Sequence, residues 1–150
     1  MKYLGMIFVA LLAALAVSAQ TSDQSPFVGS WKLNVAKSKF DPGPPMKSET
    51  VTIGQDGKVS VEGLAADGTT TESWSYTYTE AQEAPITGMD NSSVVENRHG
   101  NTVEHKWKLN GSSYTGKGVL SKNGKVMTYT MDGTDAQGRH EHDVLVYEKQ

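Results

Sequence analysis

The stretch Thr102-Val103-Glu104-His105-Lys106-Trp107-Lys108-Leu109, closed by Asn110-Gly111, decides the fold. Alternate side chains of a β-strand point to opposite faces. Here Val103, His105, Trp107 and Leu109 share one face, and Thr102, Glu104, Lys106 and Lys108 share the other. One face is suited to an interior and the other to water. The Asn-Gly that follows signals a hairpin, because both residues tolerate the positive φ that primed two-residue turns require.

The same grammar extends in both directions. Asp56-Gly57, Asp67-Gly68, His99-Gly100, Asn123-Gly124 and Gln137-Gly138 are further glycine-centred turn signals. They recur about every ten to fourteen residues, the cadence of an antiparallel meander. Glu72 to Tyr78 sets Glu72, Trp74, Tyr76 and Tyr78 against Ser73, Ser75 and Thr77. Val51 and Ile53 oppose Thr50 and Thr52, and Val59 and Val61 oppose Lys58, Ser60 and Glu62. Phe27, Gly29, Trp31 and Leu33 oppose Val28, Ser30, Lys32 and Asn34. Met127, Tyr129 and Met131 form a weaker inward set, and Ser92 to Arg98 and Ser113 to Leu120 are two more strands. The last strand, His142 to Glu148, is apolar on both faces, as expected if it pairs with the first. The pattern predicts an all-β, antiparallel up-and-down β-barrel of eight to ten strands, nine of them directly readable, because closure removes exposed edges.

Two stretches break the cadence. Pro42, Pro44 and Pro45 exclude residues 35–45 from any central strand, leaving room for one helical turn at 35–40. Residues 80–91, with Pro85 and Gly88, read as a long loop at one barrel mouth.

The N-terminus carries a different message. Lys2, an uncharged apolar run from Tyr3 to Val17, and Val17-Ser18-Ala19 have the layout of a secretory signal peptide over residues 1–19. Cleavage is expected between Ala19 and Gln20, leaving residues 20–150 as one domain in a secreted or periplasmic location. The run is too short for a spanning helix, so no stable membrane insertion is expected. The chain has no cysteine, which excludes disulfides, thiol nucleophiles and thiolate metal sites. Its formal charge of −3, with the lysines dispersed, argues against nucleic acid as a partner.

The opening Phe27-Val28-Gly29-Ser30-Trp31-Lys32-Leu33 resembles the first-strand signature of the calycins, which include the lipocalins and the fatty-acid-binding proteins. Lys37-Ser38-Lys39-Phe40 and Val146-Tyr147-Glu148-Lys149 are similar to the segment after the first strand and to the last strand of fatty-acid-binding proteins. The chain also resembles small exported lipocalin-like proteins of bacteria. The resemblance implies a barrel closed near Gly29 and Trp31. Two departures stand beside it. The Arg-x-Tyr pair with which fatty-acid-binding proteins grip a carboxylate is Leu145-x-Tyr147 here, and residues 35–45 hold no two-helix lid. Lipocalins also stack an arginine from the last strand over the tryptophan, but Arg98 and Arg139 are the only arginines available.

Function is less legible than fold. The inward set Trp74, Tyr76, Tyr78, His105 and Trp107 is the best cavity wall, with Tyr114, Tyr129 and Tyr147 in second rank. Apolar pockets with a few placed polar groups suit small ligands, whereas small barrels are often simply filled. For His105 the commoner role is bonding a core tyrosine, since buried polar groups find partners; ligand or haem contact is the rarer one. His140 and His142 share a strand face, yet the adjoining turn marks them as a solvated rim, so no metal and no cofactor is expected. No serine sits in a nucleophile elbow, and Glu72 is the one inward carboxylate with a supporting pattern, so no catalysis is expected. Two functions follow: an exported protein holding a small hydrophobic or amphipathic ligand in its barrel, or a packed barrel acting through its outer surface as an envelope or inhibitor-type interaction protein.

Overall fold

The computed structural model describes residues 25–150. The signal peptide expected at 1–19 and the mature start at Gln20 lie outside the described residues. The chain builds β1 (Gly29–Leu33), a 3-10 turn (Val35–Lys37), β2 (Ser48–Ile53), β3 (Lys58–Leu64), β4 (Thr71–Thr77) and β5 (Glu83–Pro85). It continues through β6 (Ser93–His99), β7 (Thr102–Leu109), β8 (Ser112–Leu120), β9 (Val126–Thr134) and β10 (His140–Lys149). All pairs are antiparallel, in the order β4-β3-β2-β1-β10-β9-β8-β7-β6-β5. This is the expected up-and-down barrel, with ten strands. Among the described residues no helix is long and apolar enough to cross a membrane.

Each turn glycine that sets the cadence, Gly57, Gly68, Gly100, Gly111, Gly124 and Gly138, has positive φ. Asn110 joins Gly111 there at φ 48°, the two-residue geometry that links strands without splaying them. The last strand pairs with the first, through Leu33–Tyr147, Lys32–Glu148 and Trp31–Lys149. The thin seam lies elsewhere. β4 and the chain after β5 meet at a single bridge, where Ser75 and Thr87 exchange backbone hydrogen bonds of 3.0 and 2.8 Å.

The one strand that the sequence reading missed is β5, inside the stretch expected to be loop. It is only three residues long and takes its ladder from β6 alone, with Ala84 opposite Val94. Proline is tolerated at such an edge because its missing N–H would face no partner. Pro85 therefore masks the strand in sequence without forbidding it in the fold.

At the β1 end, Trp31 is fully buried, and its Nε1 donates to the Phe27 carbonyl at 2.7 Å. Gly29, at φ +135°, has no Cβ for a reason visible in the packing. A Cβ there would stand 2.7 Å from Cε of Lys149, whose side chain crosses β1 at that point. The Lys149 ammonium then lies 5.1 Å from the Trp31 ring centroid. The cation over the tryptophan thus comes from the last strand, as the lipocalin resemblance implies, but it is a lysine.

Candidate functional site

The barrel interior is not filled. A cavity of about 250 Å³ runs between the sheets' inner faces, slightly below the range usual for drug-sized ligands. Valines and isoleucine from β2 and β3, methionines 127 and 131 from β9, and Leu145 from β10 form its aliphatic wall. Met89, from the chain after β5, lines it as well. Aromatic side chains interleave with them: Trp74, Tyr76, His105, Trp107, Tyr129 and Tyr147 all face the space. Trp74 and Trp107 meet edge to face at 5.8 Å, and Tyr76 meets Trp107 in the same way at 5.9 Å. Such offset contacts are the favoured arrangement for aromatic quadrupoles and fix the rings.

Two residues of the expected wall stand apart from the cavity. Tyr78 lies one residue beyond β4, so strand alternation no longer governs it. Its ring packs beneath the Arg98 guanidinium at 4.0 Å, and its hydroxyl bonds Glu80. Tyr114 is buried but turned onto Gly133, where any Cβ would collide with its ring at 2.3 Å. Neither lines the cavity.

A connected polar chain links the aromatic residues of the lining. Trp107 Nε1 donates to the Tyr129 hydroxyl at 2.8 Å, and that hydroxyl lies 3.2 Å from Nδ1 of His105. With the indole N–H filling one lone pair, the Tyr129 proton is directed at Nδ1, which places the imidazole proton on Nε2. Nε2 faces Glu96 Oε2 at 3.4 Å. Tyr76 donates to the same oxygen at 2.6 Å, and Arg98 Nε bonds Oε1. Gly116 makes this chain possible: a Cβ there would lie 1.7 Å from the Tyr129 hydroxyl. His105 thus bonds core tyrosines and stacks on Trp107 at 4.8 Å. Burial alone would raise the Glu96 carboxyl, but the hydrogen bond from His105, the Arg98 charge and the Tyr76 hydroxyl outweigh it. They hold Glu96 at about 2.

A second polar feature was half visible in the sequence pattern, which marks Glu72 as inward but not Glu49. Glu49 on β2 and Glu72 on β4 are both partly buried and both line the cavity. The residue between them across the sheet is Gly63 of β3, paired with Glu49 on one side and Glu72 on the other. No side chain of β3 stands between the two carboxylates; the Ser48 carbonyl and the end of Met46 come within 3.1 and 3.3 Å of where a Gly63 Cβ would be. Glu49 accepts from the Tyr147 hydroxyl. Burial pushes its carboxyl up, only partly offset by that hydrogen bond and reinforced by the Glu72 charge, to about 7.

This has a consequence for stability. A carboxyl whose native pKa lies above its unfolded value keeps extra protons in the folded state, so stability falls as pH rises between the two values. For Glu49 the window runs from 4.5 to about 7. Urea unfolding across that window should show Glu49→Gln gaining on the native protein by about 1–2 kcal/mol at the alkaline end, a figure discounted for partial exposure. A constant difference across the window would refute the shift.

His140 and His142, expected at a solvated rim, sit at the start of β10 across from Asp132 of β9. His140 Nε2 and His142 Nδ1 approach its two carboxylate oxygens at 3.2 and 2.8 Å. Among the described residues no group of three or more acidic or imidazole side chains is arranged to hold a metal ion.

No protein-family model matches the chain, and no curated protein does. Solved structures do. A variant of the fluorescent protein UnaG superposes with a TM-score of 0.54 at 18% identity, covering 83% of this chain and 96% of that one. Wild-type UnaG gives 0.51 at 16% identity, covering 83% and 97%. Fatty-acid-binding protein 1 of Echinococcus granulosus gives 0.51 at 13%, also covering 83% and 97%. At these identities the shared property is the fold: this chain's ten-stranded up-and-down barrel has the same architecture as those structures.

Proposed function

We propose that this protein binds a small apolar or amphipathic molecule inside its barrel, outside the cytoplasm, without chemically altering it. The observation that carries the reading is the interior cavity lined by both aromatic rings and aliphatic side chains. A barrel working only through its outer surface would gain stability from filling such a space, since cavities in cores are costly. The structural likeness to a protein named for binding fatty acids points the same way. The arm concerning export rests on Lys2, the apolar run and Val17-Ser18-Ala19.

Tryptophan emission tests the binding. Trp74 and Trp107 line the cavity, whereas Trp31 does not. Octan-1-ol, a small neutral amphiphile, should shift their emission to the blue in a saturable way as it displaces water from the rings. Emission that is unchanged or drifts without saturation would overturn the reading.

A further inference from the structure

The charge distribution inside the cavity says what kind of head group the ligand carries. Among the described residues that line it there is neither lysine nor arginine, while Glu49, Glu72 and Glu96 are all present. Glu96 is accounted for by Arg98, Tyr76 and His105. Glu49 has a single donor, the Tyr147 hydroxyl. Glu72 has no hydrogen-bond or ion-pair partner among the described residues, yet it faces a mostly apolar space.

We propose that the cavity takes a cationic amphiphile, an organic amine whose ammonium group sits between Glu49 and Glu72 and whose apolar body lies against Trp74 and Trp107. This rests on the binding function proposed above and specifies its ligand class. The geometry supports it in three ways. Gly63 places no β3 side chain between the two carboxylates, and what approaches that position from the side chains is the flexible end of Met46, 3.3 Å from where a Cβ would stand. The indoles of Trp74 and Trp107 line the same space, and aromatic rings attract cations. The two carboxylates also repel each other, and that repulsion together with burial holds the Glu49 carboxyl at about 7. A bound cation removes this penalty. An anionic head group would add to it and would find neither lysine nor arginine on the lining among the described residues. The barrel is therefore arranged against the carboxylate ligand that its structural likeness would suggest.

The test compares three molecules with the same tail, octylamine, octan-1-ol and octanoate, by calorimetry on the full-length protein at mildly alkaline pH, where Glu49 is ionised. Octylamine should bind at least about tenfold more tightly than octan-1-ol, with octanoate weakest. In Glu72→Gln the amine-to-alcohol ratio should fall to within about twofold of unity. Glu62→Gln, which removes an exposed carboxylate from the outer face of β3, should leave the ratio at its original value. If octan-1-ol binds but octylamine binds no better, the charge assignment is wrong and the binding function stands. An equal effect of Glu62→Gln and Glu72→Gln would reduce the preference to overall acidity and overturn the assignment. Absence of binding by all three would overturn both readings.

Discussion

Glu96→Ala should destabilise the protein by about 3–5 kcal/mol in urea unfolding at neutral pH, the usual cost of removing one partner from a buried ion pair. Glu96 and Arg98 are both almost wholly buried, and they stand on the same inward face of β6. Removing the carboxylate leaves the guanidinium in a site that cannot hydrate it, and it strips the acceptor from the Tyr76 hydroxyl and from His105. The larger part of the loss is the cost of a buried guanidinium deprived of this carboxylate rather than the worth of the pair itself. Glu96→Gln keeps an acceptor oxygen and should fall between the native protein and Glu96→Ala. The pH dependence separates this cause from simple loss of packing. Because the native Glu96 carboxyl is depressed to about 2, its contribution is complete above the ordinary carboxylate range and disappears as pH falls through about 2. The difference between native protein and Glu96→Ala should therefore narrow in acid. A difference below about 1 kcal/mol at neutral pH would show that the pair does not anchor the wall.

How much of this site could be read from the chain depends on what strand alternation sees. Trp74, Tyr76, His105 and Trp107 follow from it because their columns contain apolar neighbours at every second place, and the fold places them as that pattern implies. Glu49 and Glu96 obey the same period, but a carboxylate in an inward column reads as an exception until its partner is known. For Glu96 the partners are Arg98 on the same strand and His105 directly opposite on β7. Noticing that Val94, Glu96 and Arg98 share a face would have exposed the pair. For Glu49 the decisive facts are the start of β2 at Ser48, earlier than the alternation suggests, and its pairing with Gly63, which is set by the register and not by the residue itself. Tyr78 and Tyr114 err in the opposite direction. One lies beyond its strand and the other is turned onto Gly133, its direct cross-strand partner on β9, so their aromatic character outweighed their position in the sequence reading.

Trp31→Ala is the other substitution with a large expected effect, and it separates what holds the barrel from what fills it. The side chain is fully buried, and truncating a buried tryptophan costs about 3–5 kcal/mol through lost transfer energy and the cavity left behind. Two further contacts go with it: the 2.7 Å hydrogen bond to the Phe27 carbonyl and the seat of the Lys149 ammonium. The Phe27 oxygen then lacks its indole donor, and Lys149 no longer has a ring to cross onto from Gly29. Trp31→Phe keeps a ring under the lysine and loses the N–H donor and part of the volume, so its loss should be smaller, about 1–2 kcal/mol. Because Trp31 does not line the cavity, the damage should appear as a lower urea midpoint while octan-1-ol still shifts the emission of Trp74 and Trp107 in the fraction that remains folded. Should Trp31→Phe abolish that shift while its urea midpoint stays near the native value, Trp31 would belong to the ligand's surroundings and its assignment to barrel closure would be wrong.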